Sequence, residues 1–196
     1  MFADDRTGPL RATVAPEVVT AAVAGARDAV ELLLKAVRPA VLRYCRARLG
    51  GGSATPPDDV AQEVCLAVLR ALPRYRDEGR PFLAFVYGIA SHKVADAHRY
   101  GARNRVDPVA DVPDAAVTEA GPELLFLRGE LSEEMSRLLD VLPPKQREIL
   151  LLRVVVGFSA EETAEAVVST PGAVRVAQHR ALTRLRKVLA AQLVSS

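Results

Sequence analysis

Three residue types that could carry hydrolytic chemistry fall close together in this chain: Ser91, His92 and Asp96. A nucleophilic triad needs hydroxyl, imidazole and carboxylate to converge on one point. On a helix, neighbouring side chains point about 100° apart, so Ser91 and His92 diverge. Metal chemistry fares no better. His98 and His179 have no further ligand at helical spacing, and Cys45 and Cys65 form neither a C-x-x-C pair nor a Cys/His cluster. No nucleotide-binding, metal or nucleophile motif stands elsewhere. The residues therefore predict no enzyme, no metal and no cofactor, with two reduced thiols on helix faces.

The chemistry they do support is surface recognition by charge. From Pro171 onward the chain carries five Arg or Lys and no acid. At about 100° per residue, Val174, Ala181, Leu185 and Val188 fall on one side of a helix. Arg175, His179, Thr183, Arg186 and Lys187 fall on the other, with Arg180 and Arg184 at the flank. One face can pack on a core while the other offers cations to phosphates and polar groups to base edges. A solvated amphipathic helix would show the same division, so the pattern alone leaves both open. The segment before it adds syntax. Ser159-Ala160-Glu161-Glu162 reads as a capping box opening a short helix to about Val167. Val168 to Thr170 would be a turn, Thr170 an N-cap and Pro171 the first helical residue. Two short helices joined this way have the form of a helix-turn-helix.

Other elements must hold that motif in place. The chain has 196 residues, 49% hydrophobic and 26% charged, with a net charge of +2. These proportions fit a soluble globular protein and argue against disorder. No apolar run reaches transmembrane length. Asp4 and Asp5 stand where a secretory signal would want base. The distribution of charge divides the chain: +4 over residues 17–107, −4 over 108–130 and +2 over 131–196. Residues 1–16 read as a loose tail, 17–106 as one helical domain, 107–123 as a Pro/Gly-broken, flexible acidic linker and 124–196 as a second helical domain. Pro39 is expected to interrupt or kink the first long helical pattern. The helix beginning at Phe82 is expected to run out in the polar segment from His98. Ile149 to Val156 would also suit a strand, but its neighbours favour helix. The fold class is all-α: two small helical domains, the C-terminal one a helix-turn-helix.

Several ordered stretches resemble one family. Leu142 to Arg153, Gly157 to Ala164 and Gly172 to Arg175 resemble the promoter −35 domain of bacterial RNA polymerase sigma factors. Asp58 to Val64 resembles the helix that docks on the polymerase clamp, and Phe82 to Asp96 the promoter −10 helix. Two such domains joined by a short linker are the layout of the extracytoplasmic-function (ECF) group. Tyr75 to Arg99 looks closest to the actinobacterial sigma-D type.

That resemblance implies roles by position. Asp59, Val60, Gln62 and Glu63 would contact the β′ clamp of core RNA polymerase. Arg76, Arg80, Ser91, His92, Lys93, Asp96, Arg99 and Arg103, with Arg105, would meet the −10 element. Thr170, Arg175, Val176, His179, Arg180 and Arg184 would read or grip the −35 element. The partners implied are core RNA polymerase through its β′ clamp and β flap, promoter DNA and a cognate anti-sigma factor, with no membrane contact and a cytoplasmic location. Val168 stands where the family usually has Gly, and a β-branched residue disfavours positive φ. The rival from another class is a free-standing helix-turn-helix regulator that binds duplex DNA without polymerase.

Overall fold

The structure is a computed structural model and describes residues 14–50, 53–77, 79–104 and 137–194. The expected linker, the N-terminal tail, Arg105 and the leucines at 124, 125 and 131 lie outside these residues. Every regular element described is helical. In chain order they are α1 (Pro16–Val23), α2 (Arg27–Leu49), α3 (Pro57–Ala71), a 3-10 turn (Leu72–Arg74), α4 (Phe82–Asn104), α5 (Pro144–Leu150), a π-helical segment (Leu151–Val156), α6 (Ala160–Ala166) and α7 (Pro171–Val194).

The N-terminal half packs α2, α3 and α4 against one another with α1 on α2. Val37, Val41 and Cys45 of α2 meet Val64 and Val68 of α3 and Val86, Ala90 and Val94 of α4 in one buried cluster. These positions recur at three- and four-residue spacing, so each helix lays a single stripe into the core. Each fully buried valine contributes roughly 1.5–3 kcal/mol of transfer free energy. Asp58 and Asp59 lie in the first turn of α3, where carboxylates favour the positive end of the helix. Pro73 falls in the 3-10 turn that follows, and α3 stops at Ala71 just before it.

One expectation is corrected here, the interruption at Pro39. Pro39 does not divide its element: α2 runs unbroken from Arg27 to Leu49. A proline removes one backbone hydrogen bond, but Val37, Ala40 and Val41 on either side of it are buried, and that packing carries the helix through. α4 runs to Asn104, within the polar segment from His98 to Arg105 where it was expected to run out. Ala97 is buried on its inner face, so the core extends beneath the polar run.

The stretch that could have been a strand is helical. α5 passes into a wider π turn that ends at Gly157, whose φ of +90° suits a residue without Cβ. The amides of Gly157 and Phe158 both donate to the Leu152 carbonyl, at 3.0 and 2.9 Å. This segment faces two ways. Ile149 packs with Ala160, Ala164 and Val174, and Leu150 and Leu151 pack with Leu139, Leu142, Ala181 and Leu185. Leu152, Val156 and Phe158 instead join the core of the N-terminal half. The two halves therefore share a buried seam.

Candidate nucleic-acid interface

The loop before α4 is shaped by its own residues. Tyr75 packs edge-on against Phe82 with ring centres 5.2 Å apart and lies 5.0 Å from Phe85. Its hydroxyl donates to the Arg80 carbonyl at 3.3 Å, and the Gly79 amide donates to Asp77 Oδ1 at 3.0 Å. Arg76 and Arg80 are left on the exposed outside of the loop.

On α4, the inward stripe of Val86, Ala90, Val94 and Ala97 leaves the polar residues on the other side. His92, Asp96, Arg99 and Arg103 are exposed, and Ser91 and Lys93 are half-buried. Ser91 Oγ donates to the Gly88 carbonyl at 3.0 Å within its own helix, and Asp96 pairs with Arg99. Lys93 Nζ reaches across to Glu63 Oε2 of α3 at 2.9 Å, which ties the two candidate surfaces together.

On α3, Asp59, Gln62 and Glu63 are exposed in the first two turns. Val60 is not: it is 2% exposed in the core, so its side chain is withdrawn from any partner, a correction to its expected role. Valine at the fourth position of this helix falls on the same stripe as Val64.

The C-terminal motif has the local chemistry its sequence promised. Ser159 Oγ accepts from the Glu162 amide at 3.1 Å, and Glu162 Oε2 accepts from the Ser159 amide at 2.7 Å, a complete capping box. Thr170 Oγ1 accepts from the Ala173 amide at 3.2 Å, so its hydroxyl is engaged as a cap of α7. The turn between the helices keeps a left-handed residue even without glycine: Val168 has φ of 49° and is 88% exposed. The Ser169 amide closes the turn onto the Ala164 carbonyl at 2.8 Å. On α7, Val174 and Ala181 are fully buried and Leu185 nearly so. Arg175, Val176, His179, Arg180 and Arg184 are all exposed. Arg153 donates to Gln178 Oε1 at 3.0 Å and to the Phe158 carbonyl, and so braces α7 from behind.

Sequence reasoning missed one cluster. Glu148 Oε1 accepts from the hydroxyls of Tyr44 and Tyr87 at 2.9 and 2.8 Å, and its Oε2 lies 3.5 Å from Arg48 Nε. Desolvation and the adjacent carboxylate hold both phenols well above their ordinary pKa, so they remain donors. The partners are 61 to 104 residues apart in sequence, and no local pattern announces them. Among the described residues no group of His, Cys, Asp or Glu is placed to hold a metal ion, and no helix is long and apolar enough to cross a membrane.

The N-terminal unit carries an exposed polar helix behind a charged loop, and the C-terminal unit carries a capped helix-turn-helix, a layout that fits a DNA-binding protein. Comparison with known proteins identifies both units. Residues 33–104 match Sigma-70 region 2 and residues 132–185 match Sigma-70, region 4. The ECF RNA polymerase sigma factor SigD of Mycobacterium tuberculosis is 60% identical over 176 residues, covering 89% of this chain and 83% of that protein. The ECF RNA polymerase sigma factor ShbA of Streptomyces griseus is 48% identical over 189 residues, covering 93% of this chain and 96% of that one. The solved structure of CnrH in complex with the cytosolic domain of CnrY shares the fold, with a TM-score of 0.64 at 24% identity, covering 89% of this chain and 96% of that one.

The chain belongs to the ECF RNA polymerase sigma factors. It directs RNA polymerase to promoters as a specificity subunit and is not itself an enzyme.

Proposed function

We propose that the two halves divide promoter recognition between them. The N-terminal half docks on the β′ clamp through Asp59, Gln62 and Glu63. It engages the −10 element through Arg76 and Arg80 of the loop and Ser91, His92, Lys93, Asp96, Arg99 and Arg103 of α4. The C-terminal half lies near the β flap and grips the −35 element through Arg175, Val176, His179, Arg180 and Arg184, with Thr170 setting the start of the helix. Residues 107–123 join the two as an acidic linker. An anti-sigma factor covers these faces when the chain is held inactive, and the protein works in the cytoplasm with the polymerase.

One observation carries this reading: α7 buries Val174 and Ala181 completely while Arg175, His179 and Arg180 stand exposed on its first turns. A helix entering the major groove needs that division, with its N-terminal residues at base edges. Melting the −10 region costs stacking energy, which base-edge hydrogen bonds and backbone cations on the separated strand offset. Each DNA contact is weak alone. Held together on polymerase, the second contact gains from effective concentration.

The test is open-complex formation, followed by fluorescence at a candidate promoter, with core polymerase, with this chain, and with both. A signal that needs both supports the proposal. Tight duplex binding by the chain alone, indifferent to polymerase, overturns it in favour of a free-standing regulator.

A further inference from the structure

The exposed side of α7 carries an apolar residue at its centre. At about 100° per residue, Val176 stands about 200° round the helix axis from Val174, so the two point in nearly opposite directions. Val174 and Ala181 are fully buried behind, while Val176 is 50% exposed in front. Its neighbours one turn away are Gly172, Ala173, His179 and Arg180, all exposed, and none brings a large apolar group to it. Val176 belongs to none of the three buried clusters among the described residues. A β-branched residue there adds nothing to the helix, in which it is a weaker former than alanine.

The cations are set to its sides. Arg175 lies about 100° away round the helix. It is drawn towards α6 by Glu161, at 2.8 Å. Arg180, four residues on, flanks Val176 from the other side. Ahead of Val176 the helix is bare: a Cβ at Gly172 would meet nothing within 4 Å. No contact inside the protein therefore requires glycine at this position, although glycine is a poor helix former. What its missing side chain does allow is the close approach of an outside surface. α7 thus presents Val176 where such a surface comes nearest, with charge on either side.

We propose that Val176 is a specificity-determining residue of the −35 contact and selects a thymine through its C5-methyl group. The inference rests on the placement of α7 in the major groove of the −35 element. Of the groups that base edges show in that groove, the thymine methyl is the apolar one, and the others are hydrogen-bond donors and acceptors. A valine pressed on those polar groups takes their water and gives no partner in return, which is unfavourable. Against a thymine, two apolar surfaces leave water together. One buried methyl corresponds to about a fourfold change in affinity. The contact involves no charge and releases no counterion, so it does not follow salt as the phosphate contacts of the flanking arginines do.

The experiment uses the holoenzyme, core polymerase with the full chain, and a promoter that it selects from a library randomised across the −35 element. Each thymine of that element, on either strand, is replaced singly by deoxyuridine, which lacks only the C5-methyl. Affinity is read by fluorescence anisotropy for the parent chain, Val176→Ala and Val176→Ile. Deoxyuridine at one position should weaken the parent holoenzyme about fourfold, equally at low and moderate salt. Val176→Ala should bind thymine and deoxyuridine there alike, and Val176→Ile should keep the preference. The comparison is made within each variant, so a folding defect cannot imitate the result. The absence of any sensitive thymine in the parent overturns the proposal, and so does a preference that survives in Val176→Ala. If Arg175→Ala and Arg180→Ala then also leave promoter affinity intact, the placement of α7 on the −35 element falls with it. If they weaken it, the thymine contact alone is lost.

Discussion

Arg175 and Glu161 face each other at 2.8 Å across the two helices of the helix-turn-helix, each with more than half of its side chain exposed. Glu161 also accepts from its own backbone amide at the start of α6, and that bond, with the charge of Arg175 behind it, holds its carboxyl below the usual carboxylate range. The pair orients the first cation of α7 in the absence of DNA. A phosphate or base edge has to displace it.

Arg175→Ala should weaken polymerase-dependent promoter binding by about 1–3 kcal/mol if the guanidinium reads a base edge. Glu161→Gln should strengthen it, by up to about fivefold at low salt, because the competing ion pair is worth only about 0.2–1 kcal/mol and is screened. Filter binding or fluorescence anisotropy of the holoenzyme across a salt series checks both. An Arg175→Ala variant with full affinity would remove this residue from the interface.

Val168 is the one non-glycine residue with positive φ among those described, at 49°, and almost all of its side chain is in solvent. A left-handed conformation costs an L-residue roughly 1–2 kcal/mol, and glycine's extra backbone entropy returns about 0.5–1 of that. Val168→Gly should therefore stabilise the C-terminal half by about 0.5–1 kcal/mol, seen as a higher Tm in thermal melts. No packing is lost to cancel the gain.

Ser159→Ala removes one arm of the capping box and leaves the Glu162 amide without its acceptor. The loss should be about 1 kcal/mol, read from the urea midpoint. Ser159→Asp, which restores an acceptor at the same position, should recover most of it.

The thiols should respond unequally. Cys45 is fully buried, and burial pushes its pKa up to about 12, whereas Cys65 is half-buried and less strongly raised. The thiolate is the reactive form. A disulfide reagent at pH 8 should modify Cys65 first and reach Cys45 only on unfolding. The sign for stability follows: a thiol favoured neutral in the fold contributes fully below the unfolded pKa of about 8.5 and loses that contribution as pH rises towards about 12. Alkaline melts of Cys45→Ala against the parent chain would show the difference narrowing over that window.

What could be read from the amino-acid order alone was the local part. The capping box at Ser159, the cap at Thr170 and the two faces of α7 each depend on residues within one or two helical turns. Spacing at three and four residues was enough to find them, and the family followed from the same motifs. Packing decided the rest. Pro39 sits inside an unbroken helix because buried neighbours outweigh one missing hydrogen bond. Val60, placed on the polymerase face by resemblance, turned inward because it shares a stripe with Val64. The Glu148 cluster joins Tyr44, Arg48 and Tyr87 from two other helices across at least 61 residues of chain. A helical period reports which face of each helix is apolar. It carries no information on which helix will cover that face, so the closing of one half on the other belongs to tertiary structure alone.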